Sequence, residues 1–261
     1  MIGDMQIVGS PFQGSPIRLM TYAWLAGAIG SIIWKGREFV NRLDHGREMQ
    51  IAASFDNFGE DDNPTEAGSR EDGARPASSS RLIKIVKLAP NSLRTSTQAA
   101  YWRRRGAIKL SDTIFFKNVT IGLTGLPNVI LLLTTVRTVH DRKVLVTEVP
   151  AFYAPAAFST MRLYDSRTRR VSPAPEGFIP TDKVYPLLSA AGGYTFGIYA
   201  SSVPDLYDVR DLRTEGNCMK INRIGYHAPA PAKDYNYRTY ICLGLLADVT
   251  SAMDALIARG L

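Results

Sequence analysis

The sequence predicts an all-β protein in which two antiparallel sheets pack face to face and one helix ends the chain. Three observations lead to this class: about ten short runs of alternating or β-branched residues, turn residues between the runs, and helical spacing confined to the C-terminus. With 261 residues, of which 45% are hydrophobic, the chain can bury a large core. We expect one sandwich domain that covers residues 1–261.

The N-terminal part is expected to begin without regular structure. Residues 1–18 are rich in Gly and Pro and predict an irregular lead-in. Residues 28–34 are apolar and predict a strand, Lys35-Gly36 predicts a turn, and residues 37–42 predict a second strand. This order of strand, turn and strand indicates a β-hairpin.

A long acidic loop is expected to separate this hairpin from the remaining strands. Residues 46–55 fit either a strand or a short helix, whereas residues 56–80 change to Gly, Pro, Ser, Asp and Glu. Loops of this length in a compact domain are usually functional or disordered. Strands are then predicted at 81–88, 92–102, 113–123, 128–139, 143–153, 158–164, 194–200, 219–226 and 237–246, with a Pro-rich connection at 172–186.

The last element differs from the rest because its apolar residues follow a helical period. Val249, Met253 and Leu256 recur at helical spacing, and Gly260 provides a stop signal. We therefore predict a C-terminal helix over residues 247–259.

The charge pattern argues against a nucleic-acid partner. The net charge is +7, from 31 Lys and Arg against 24 Asp and Glu. The basic residues cluster at 102–109 and 167–170 but match no nucleic-acid-binding motif. Such runs are typical of solvated turns, and an anionic polymer such as a uronate chain is the alternative.

No membrane segment, cofactor or metal is expected from the sequence. The apolar run 22–33 is too short to span a bilayer, and the N-terminus lacks the features of a signal peptide. The two cysteines, Cys218 and Cys242, have no metal-ligand spacing, although one disulfide is compatible with their positions. No phosphate-binding or nucleophile motif occurs.

Two motifs carry a resemblance to a known fold family. The segment GREFVNRLDHGREMQ (36–50) and the segment NPTEAG (63–68) resemble an uncharacterised group within the galactose-mutarotase-like super-sandwich proteins. Matching residues also lie at 27–39, 125–130 and 244–256. The resemblance implies an antiparallel two-sheet super-sandwich with a carbohydrate ligand. This fold class includes aldose epimerases and sandwich domains of polysaccharide lyases.

The candidate catalytic residues are His45, Asp56, Glu60 and Glu66. His45 can exchange a proton near neutral pH and lies in a dense polar segment. The three carboxylates belong to the acidic loop, where two of them could flank a sugar as acid and base. Pro64 and Gly68 favour a defined turn that would hold Glu66. The alternatives are a solvated acidic loop or a Ca²⁺ site.

A second set of polar residues is expected to bind the substrate. These residues lie in the acidic-loop region or on strands, where an amide or a charge can face a cleft. They are Arg47, Gln50, Asn63, Glu148, Lys220 and Asn222.

These residues predict general acid–base chemistry on a sugar or oligosaccharide. Glycoside hydrolysis is favoured over epimerisation or β-elimination because the loop offers several carboxylates, whereas the paired-histidine pattern of mutarotases is incomplete. The alternative is a non-catalytic carbohydrate-binding domain, which would need the amides and aromatic residues but no base.

Overall fold

The computed structural model describes residues 3–56, 63–69, 77–102, 110–180, 182–201 and 206–261. Nineteen strands and two α-helices lie in these ranges. The strands are β1 (Met5–Phe12), β2 (Ser15–Thr21), β3 (Ile29–Trp34), β4 (Arg37–Glu38), β5 (Met49–Phe55), β6 (Pro64–Thr65), β7 (Arg81–Ala89), β8 (Ser92–Tyr101), β9 (Leu110–Leu123), β10 (Leu126–Arg137), β11 (Leu145–Pro155), β12 (Thr160–Asp165), β13 (Arg170–Pro173), β14 (Gly177–Pro180), β15 (Val184–Ser189), β16 (Tyr194–Tyr199), β17 (Leu206–Leu212), β18 (Cys218–His227) and β19 (Asp234–Leu245), and the helices are α1 (Arg213–Gly216) and α2 (Leu246–Ala258).

The strand pairings form two antiparallel sheets. Sheet 1 has the order β1–β2–β3–β5–β11–β18–β17–β14. Sheet 2 has the order β13–β12–β15–β16–β19–β10–β9–β8–β7. The short strand β4 pairs with β3, and β6 connects the sheets because it pairs with both β5 and β8. The expected all-β, two-sheet class is confirmed.

The two sheets enclose a core to which both contribute. Phe152 and Ile221 of sheet 1 pack in the same buried cluster as Leu132 and Ile241 of sheet 2. Side chains alternate between the faces of a strand, so every second residue of each inner strand points into this core. The other face of sheet 1 is thereby left free to carry polar residues.

The C-terminal helix confirms the helical spacing found in the sequence. Helix α2 packs Val249, Met253 and Leu256 into the core against β19 and β16. Asp248 accepts a hydrogen bond from the backbone N–H of Leu245 at 2.9 Å, which satisfies a free donor at the start of the helix.

Two of the expected irregular segments are in fact strands. Residues 5–21 form the hairpin β1–β2 with Gln13-Gly14 at its turn, where both residues have positive φ. A register shift between Val8 and Pro11 accommodates the Gly and Pro residues that suggested a lead-in. The Pro-rich stretch 172–186 holds β14 and parts of β13 and β15, because its prolines occupy strand termini or positions with no ladder donor.

The remaining expectations can be compared element by element. The strands expected after residue 80 are present, and residues 46–55 contain the strand β5. The second hairpin strand is shorter than predicted, since β4 covers only Arg37–Glu38. Cys218 and Cys242 are buried free thiols in different sheets, so they form no disulfide. Within the described part of the chain, no helix has the length and apolar character needed to cross a membrane.

Candidate functional site

A β-bulge in β11 assembles the candidate site on the outer face of sheet 1. Between Glu148 and Ala151, β11 has one residue more than its partner strands. Glu148 and Tyr153 are five positions apart, so they would face opposite sides of a regular strand. The extra residue returns both side chains to the same face. The bulge therefore gives Glu148 and Tyr153 a common cavity.

The neighbouring strands supply polar residues to the same face through their register. Gln50 of β5 lies opposite Ala151, which lies opposite Asn222 of β18, and Asn222 lies opposite Asp208 of β17. Directly opposed residues in an antiparallel sheet share a face. One row of the sheet thus carries two amides and a carboxylate.

These residues line a cavity of about 290 Å³. Its floor is formed by β5, β11, β18 and β17, and its walls come from the connecting segments. The described lining is predominantly polar and consists of Arg47, Gln50, Ala52, Asn63, Thr65, Trp102, Glu148, Tyr153, Asp208, Arg210, Leu212, Glu215 and Lys220.

The centre of the cavity is a cluster of Glu148, Lys220 and Tyr153. The Lys220 ammonium group donates to Glu148 Oε1 at 3.1 Å and lies 5.1 Å from the centroid of the Tyr153 ring. Burial disfavours the charged amine, but the Glu148 charge and the hydrogen bonds with Glu148 and Tyr153 outweigh it and raise the pKa of Lys220. Burial also raises the pKa of Tyr153, so its hydroxyl keeps its proton at neutral pH. The cluster combines a carboxylate, a permanent cation and a neutral hydroxyl donor.

The charged groups of the cavity balance one another. Arg210 lies 2.8 Å from Asp208, and Arg47 donates to Asp44 at 2.7 Å and to the Glu215 carbonyl at 3.0 Å. The described lining residues include three cations, Arg47, Arg210 and Lys220, and three carboxylates, Glu148, Asp208 and Glu215. Among the residues that the structure describes, the lining has no surplus of positive charge, which favours a neutral polyhydroxyl ligand over a polyanion.

The loop before β5 is held in place by backbone hydrogen bonds. Gln50 donates to the Gly46 carbonyl at 2.6 Å and accepts from the Ala67 N–H at 2.8 Å. Glu48 accepts from the Gly46 N–H at 2.8 Å. The amide of Gln50 therefore connects the two sequence motifs and positions Arg47 at the cavity wall. Trp102 is fixed beside them, because its carbonyl accepts from Ser69 at 2.8 Å.

We expect Gly46→Ala to damage this corner of the site. Gly46 has φ +97°, and a Cβ atom there would lie 2.5 Å from the Gly68 carbonyl oxygen and 2.8 Å from the Trp102 ring. Backbone strain and overpacking together should lower the free energy of unfolding by about 2–4 kcal/mol.

The control for this substitution is Gly36→Ala. Gly36 also has positive φ, at +75°, but nothing lies within 4 Å of the position that a Cβ atom would take there. Urea denaturation gives the free energy of unfolding of both variants, and the difference between them isolates the contacts with Gly68 and Trp102 from the backbone strain. Equal destabilisation by the two substitutions would contradict the close approach of Trp102.

Five of the residues expected from the sequence meet in the cavity, and four described ones do not line it. Arg47, Gln50, Asn63, Glu148 and Lys220 line it. Asn222 lies beneath them on the same face, with its side chain fully buried. The other described residues outside the lining are His45, Asp56 and Glu66. Each of them makes contacts that give it a structural role.

The three structural contacts differ in kind. His45 Nε2 donates to the Ala67 carbonyl at 2.8 Å, and Asp56 accepts from the backbone N–H of Lys143 at 2.8 Å. Glu66 accepts from Lys117 at 2.7 Å and 2.8 Å, and both side chains are almost fully buried. Burial raises the pKa of Glu66 and lowers that of Lys117, and each partner offsets the effect on the other. Glu60 lies outside the described residues.

Sequence reasoning missed one wall of the cavity. Asp208 and Arg210 belong to β17, a strand that was not predicted from the sequence. A signal was present: Tyr207 and Val209 alternate with Asp208 and Arg210, which is the period of a half-buried strand. Within the described ranges, no group of three or more His, Cys, Asp or Glu side chains is arranged to hold a metal ion.

Comparisons with known proteins place the fold. No protein-family model matches the chain, and no curated protein matches its sequence. A galactose mutarotase-related enzyme from Lactobacillus acidophilus has a similar structure, with a TM-score of 0.55, 9% identity, and coverage of 92% of this chain and 97% of that chain. A putative mutarotase from Salmonella typhimurium gives a TM-score of 0.51, 9% identity, and coverage of 92% and 94%. The chain therefore has the fold of galactose mutarotase-like proteins.

Proposed function

We propose that the protein is a carbohydrate-active enzyme that transfers protons to and from a neutral sugar bound in the sheet 1 cavity. The observation that carries the proposal is the cluster of Glu148, Lys220 and Tyr153 at the floor of a polar cavity. A carboxylate and a hydroxyl donor on one face can act on two oxygens of the same sugar ring. The balanced charge of the described lining residues supports a neutral substrate.

In the reaction that we propose, Glu148 takes the proton of the anomeric hydroxyl group. Tyr153 donates its proton to the ring oxygen as the bond between that oxygen and the anomeric carbon breaks, which yields the open-chain aldehyde. Lys220 stabilises the phenolate that forms on Tyr153. Ring closure on the opposite face of the carbonyl returns both protons and gives the other anomer.

The positions of the loop carboxylates favour this one-centre chemistry over glycoside hydrolysis. The hydrolytic hypothesis used carboxylates of the acidic loop, and Asp56 and Glu66 lie away from the cavity. Glu148 and Asp208 are two strands and two residues apart. Their Cβ atoms are therefore about 12 Å apart. Both side chains line the same cavity, so this is the pair of carboxylates that glycoside hydrolysis would need to use. Hydrolysis is therefore the second candidate.

The test is proton NMR of anomer exchange with freshly dissolved α-D-glucose and α-D-galactose. We expect wild-type protein to accelerate exchange and Glu148→Gln to reduce the acceleration about 100-fold or more, because the base is lost. Glu176→Gln is the matched control, since Glu176 is exposed and lies outside the cavity lining.

Each other outcome has a defined meaning. New reducing ends from a glycoside, lost in Glu148→Gln, would favour hydrolysis. Sugar binding without turnover, and insensitive to Glu148→Gln, would favour a non-catalytic carbohydrate-binding domain. No effect of any sugar on the protein would contradict the proposal.

A further inference from the structure

The polar cavity continues into a second cavity on the same face of sheet 1. This neighbouring cavity has a volume of about 400 Å³. Asn63, Glu148 and Asp208 line both cavities. Because three side chains are shared, the two cavities form one cleft that crosses β11, β18 and β17.

The second cavity has a different chemical character from the first. Phe178 of β14 is 64% exposed and Tyr226 of β18 is 54% exposed, and Leu206 and Ile224 lie between them on the same face. Contiguous exposed apolar patches are uncommon on monomeric proteins and usually mark a binding surface. The Arg210 guanidinium group lies 5.5 Å from the Phe178 ring, so a charge of the polar cavity borders the aromatic one.

A buried amide marks the junction of the two cavities. Asn222 lies on β18 between Lys220, which lines the polar cavity, and Ile224, which lines the aromatic one. Its side chain is fully buried, and neither its amide nitrogen nor its oxygen has a hydrogen-bond partner in the part of the chain that the structure describes. Buried polar side chains are almost always paired, so this amide is an exception on the face of sheet 1 that carries both cavities.

The order of the polar and aromatic surfaces along the cleft matches a chain of sugar rings. A sugar ring presents hydroxyl groups at its edge and C–H groups on its faces, so one ring can hydrogen-bond in the polar cavity while the next packs on an aromatic face. The polar cavity, at about 290 Å³, is at the lower end of the size of ligand pockets and suits a single ring.

We propose that the cleft takes an oligosaccharide of at least two neutral units, with the reacting unit in the polar cavity and the adjoining unit against Phe178 and Tyr226. This proposal rests on the proposed function, because it assigns the reacting unit to the Glu148 cavity. It adds a subsite and a preference for longer substrates.

The experiment measures the dissociation constants of glucose, cellobiose and cellotriose, and of galactose and lactose, by isothermal titration calorimetry. We expect wild-type protein to bind a disaccharide about tenfold more tightly than its monosaccharide. Phe178→Ala and Tyr226→Ala should each remove most of this advantage. Both residues are exposed, so these substitutions leave the core intact. Phe116→Ala, on the outer face of sheet 2, is the control and should preserve the ratio.

The outcomes separate this proposal from the proposed function. If monosaccharides bind and their anomers exchange in a Glu148-dependent manner, but disaccharides bind no better, the subsite is wrong and the proposed function stands. A disaccharide advantage that persists in the Phe178→Ala/Tyr226→Ala double variant would also overturn the subsite. Absence of binding by every sugar would overturn both proposals.

Discussion

Lys117→Met should lower the free energy of unfolding by about 3–5 kcal/mol, because it leaves the Glu66 carboxylate buried without its cation. Lys117 donates to both Glu66 oxygens and to the Gly27 carbonyl at 3.0 Å, and the Glu66 side chain is 1% exposed. Burial this complete keeps bulk water from replacing the lost partner. The measurement is urea denaturation at pH 7 monitored by tryptophan fluorescence.

The stability of this variant should depend on pH in a defined direction. Burial raises the pKa of Glu66, and loss of Lys117 removes the charge that offsets this effect. A carboxyl group whose pKa is higher in the folded than in the unfolded state destabilises the fold above its unfolded pKa. Relative to wild type, Lys117→Met should therefore lose stability as the pH rises above the unfolded pKa of Glu66, and the loss should level off once the pH reaches the raised pKa of the folded state.

A double variant provides the control for this prediction. Lys117→Met with Glu66→Leu removes both charges and should recover most of the lost stability. If Lys117→Met alone leaves stability unchanged but abolishes activity, Glu66 would have the catalytic role that the sequence suggested, and the structural assignment of this ion pair would be wrong.

Lys220→Met should have the opposite profile, with a large loss of activity and a smaller loss of stability. Its partner Glu148 is 25% exposed at the side chain, so water can solvate the carboxylate when the ammonium group is removed. The expected cost in stability is about 1–2 kcal/mol. Loss of the cation that stabilises charge on Tyr153 should reduce kcat about 100-fold or more, whereas KM should change little.

The same substitution at two lysines thus separates a structural ion pair from a catalytic one. Steady-state anomer exchange by NMR gives kcat and KM for Lys220→Met, and urea denaturation gives its stability. Lys220→Arg retains the positive charge and should recover part of kcat. Lys233→Met is the surface control, because Lys233 is exposed and lies outside the cavity. A Lys220→Met variant with wild-type kcat would remove Lys220 from the proposed mechanism.

Local sequence patterns determined the class of fold. Two of these patterns are the alternation in residues 81–88 and the helical spacing of Val249, Met253 and Leu256. Both depend on side chains that are close in sequence, so they could be recognised without the tertiary structure. The hairpin β1–β2 was missed because Gly and Pro usually interrupt strands, and only pairing between the strands shows that they are tolerated here.

The candidate site depended on contacts that no local pattern contains. The sequence identified Arg47, Gln50, Asn63, Glu148 and Lys220 as polar residues near a cleft, and the structure brings these five together. It could not distinguish the role of Glu148, on a strand, from that of Glu66, in the acidic loop, because the partner of each carboxylate is distant in the chain. The distinction is made by partners 72 and 51 positions away in the chain, Lys220 at the cavity and Lys117 in the interior.

Composition and periodicity by themselves therefore determined the β-class, the C-terminal helix and a set of polar candidates. Only the tertiary structure decided which candidates share a face. The physical reason is the two-residue period of a strand: one extra residue, the bulge between Glu148 and Ala151, reverses the face of every side chain beyond it. A bulge can be recognised only by comparing a strand with the register of its partner strands. That register places Glu148, Tyr153, Lys220 and Asp208 around one cavity.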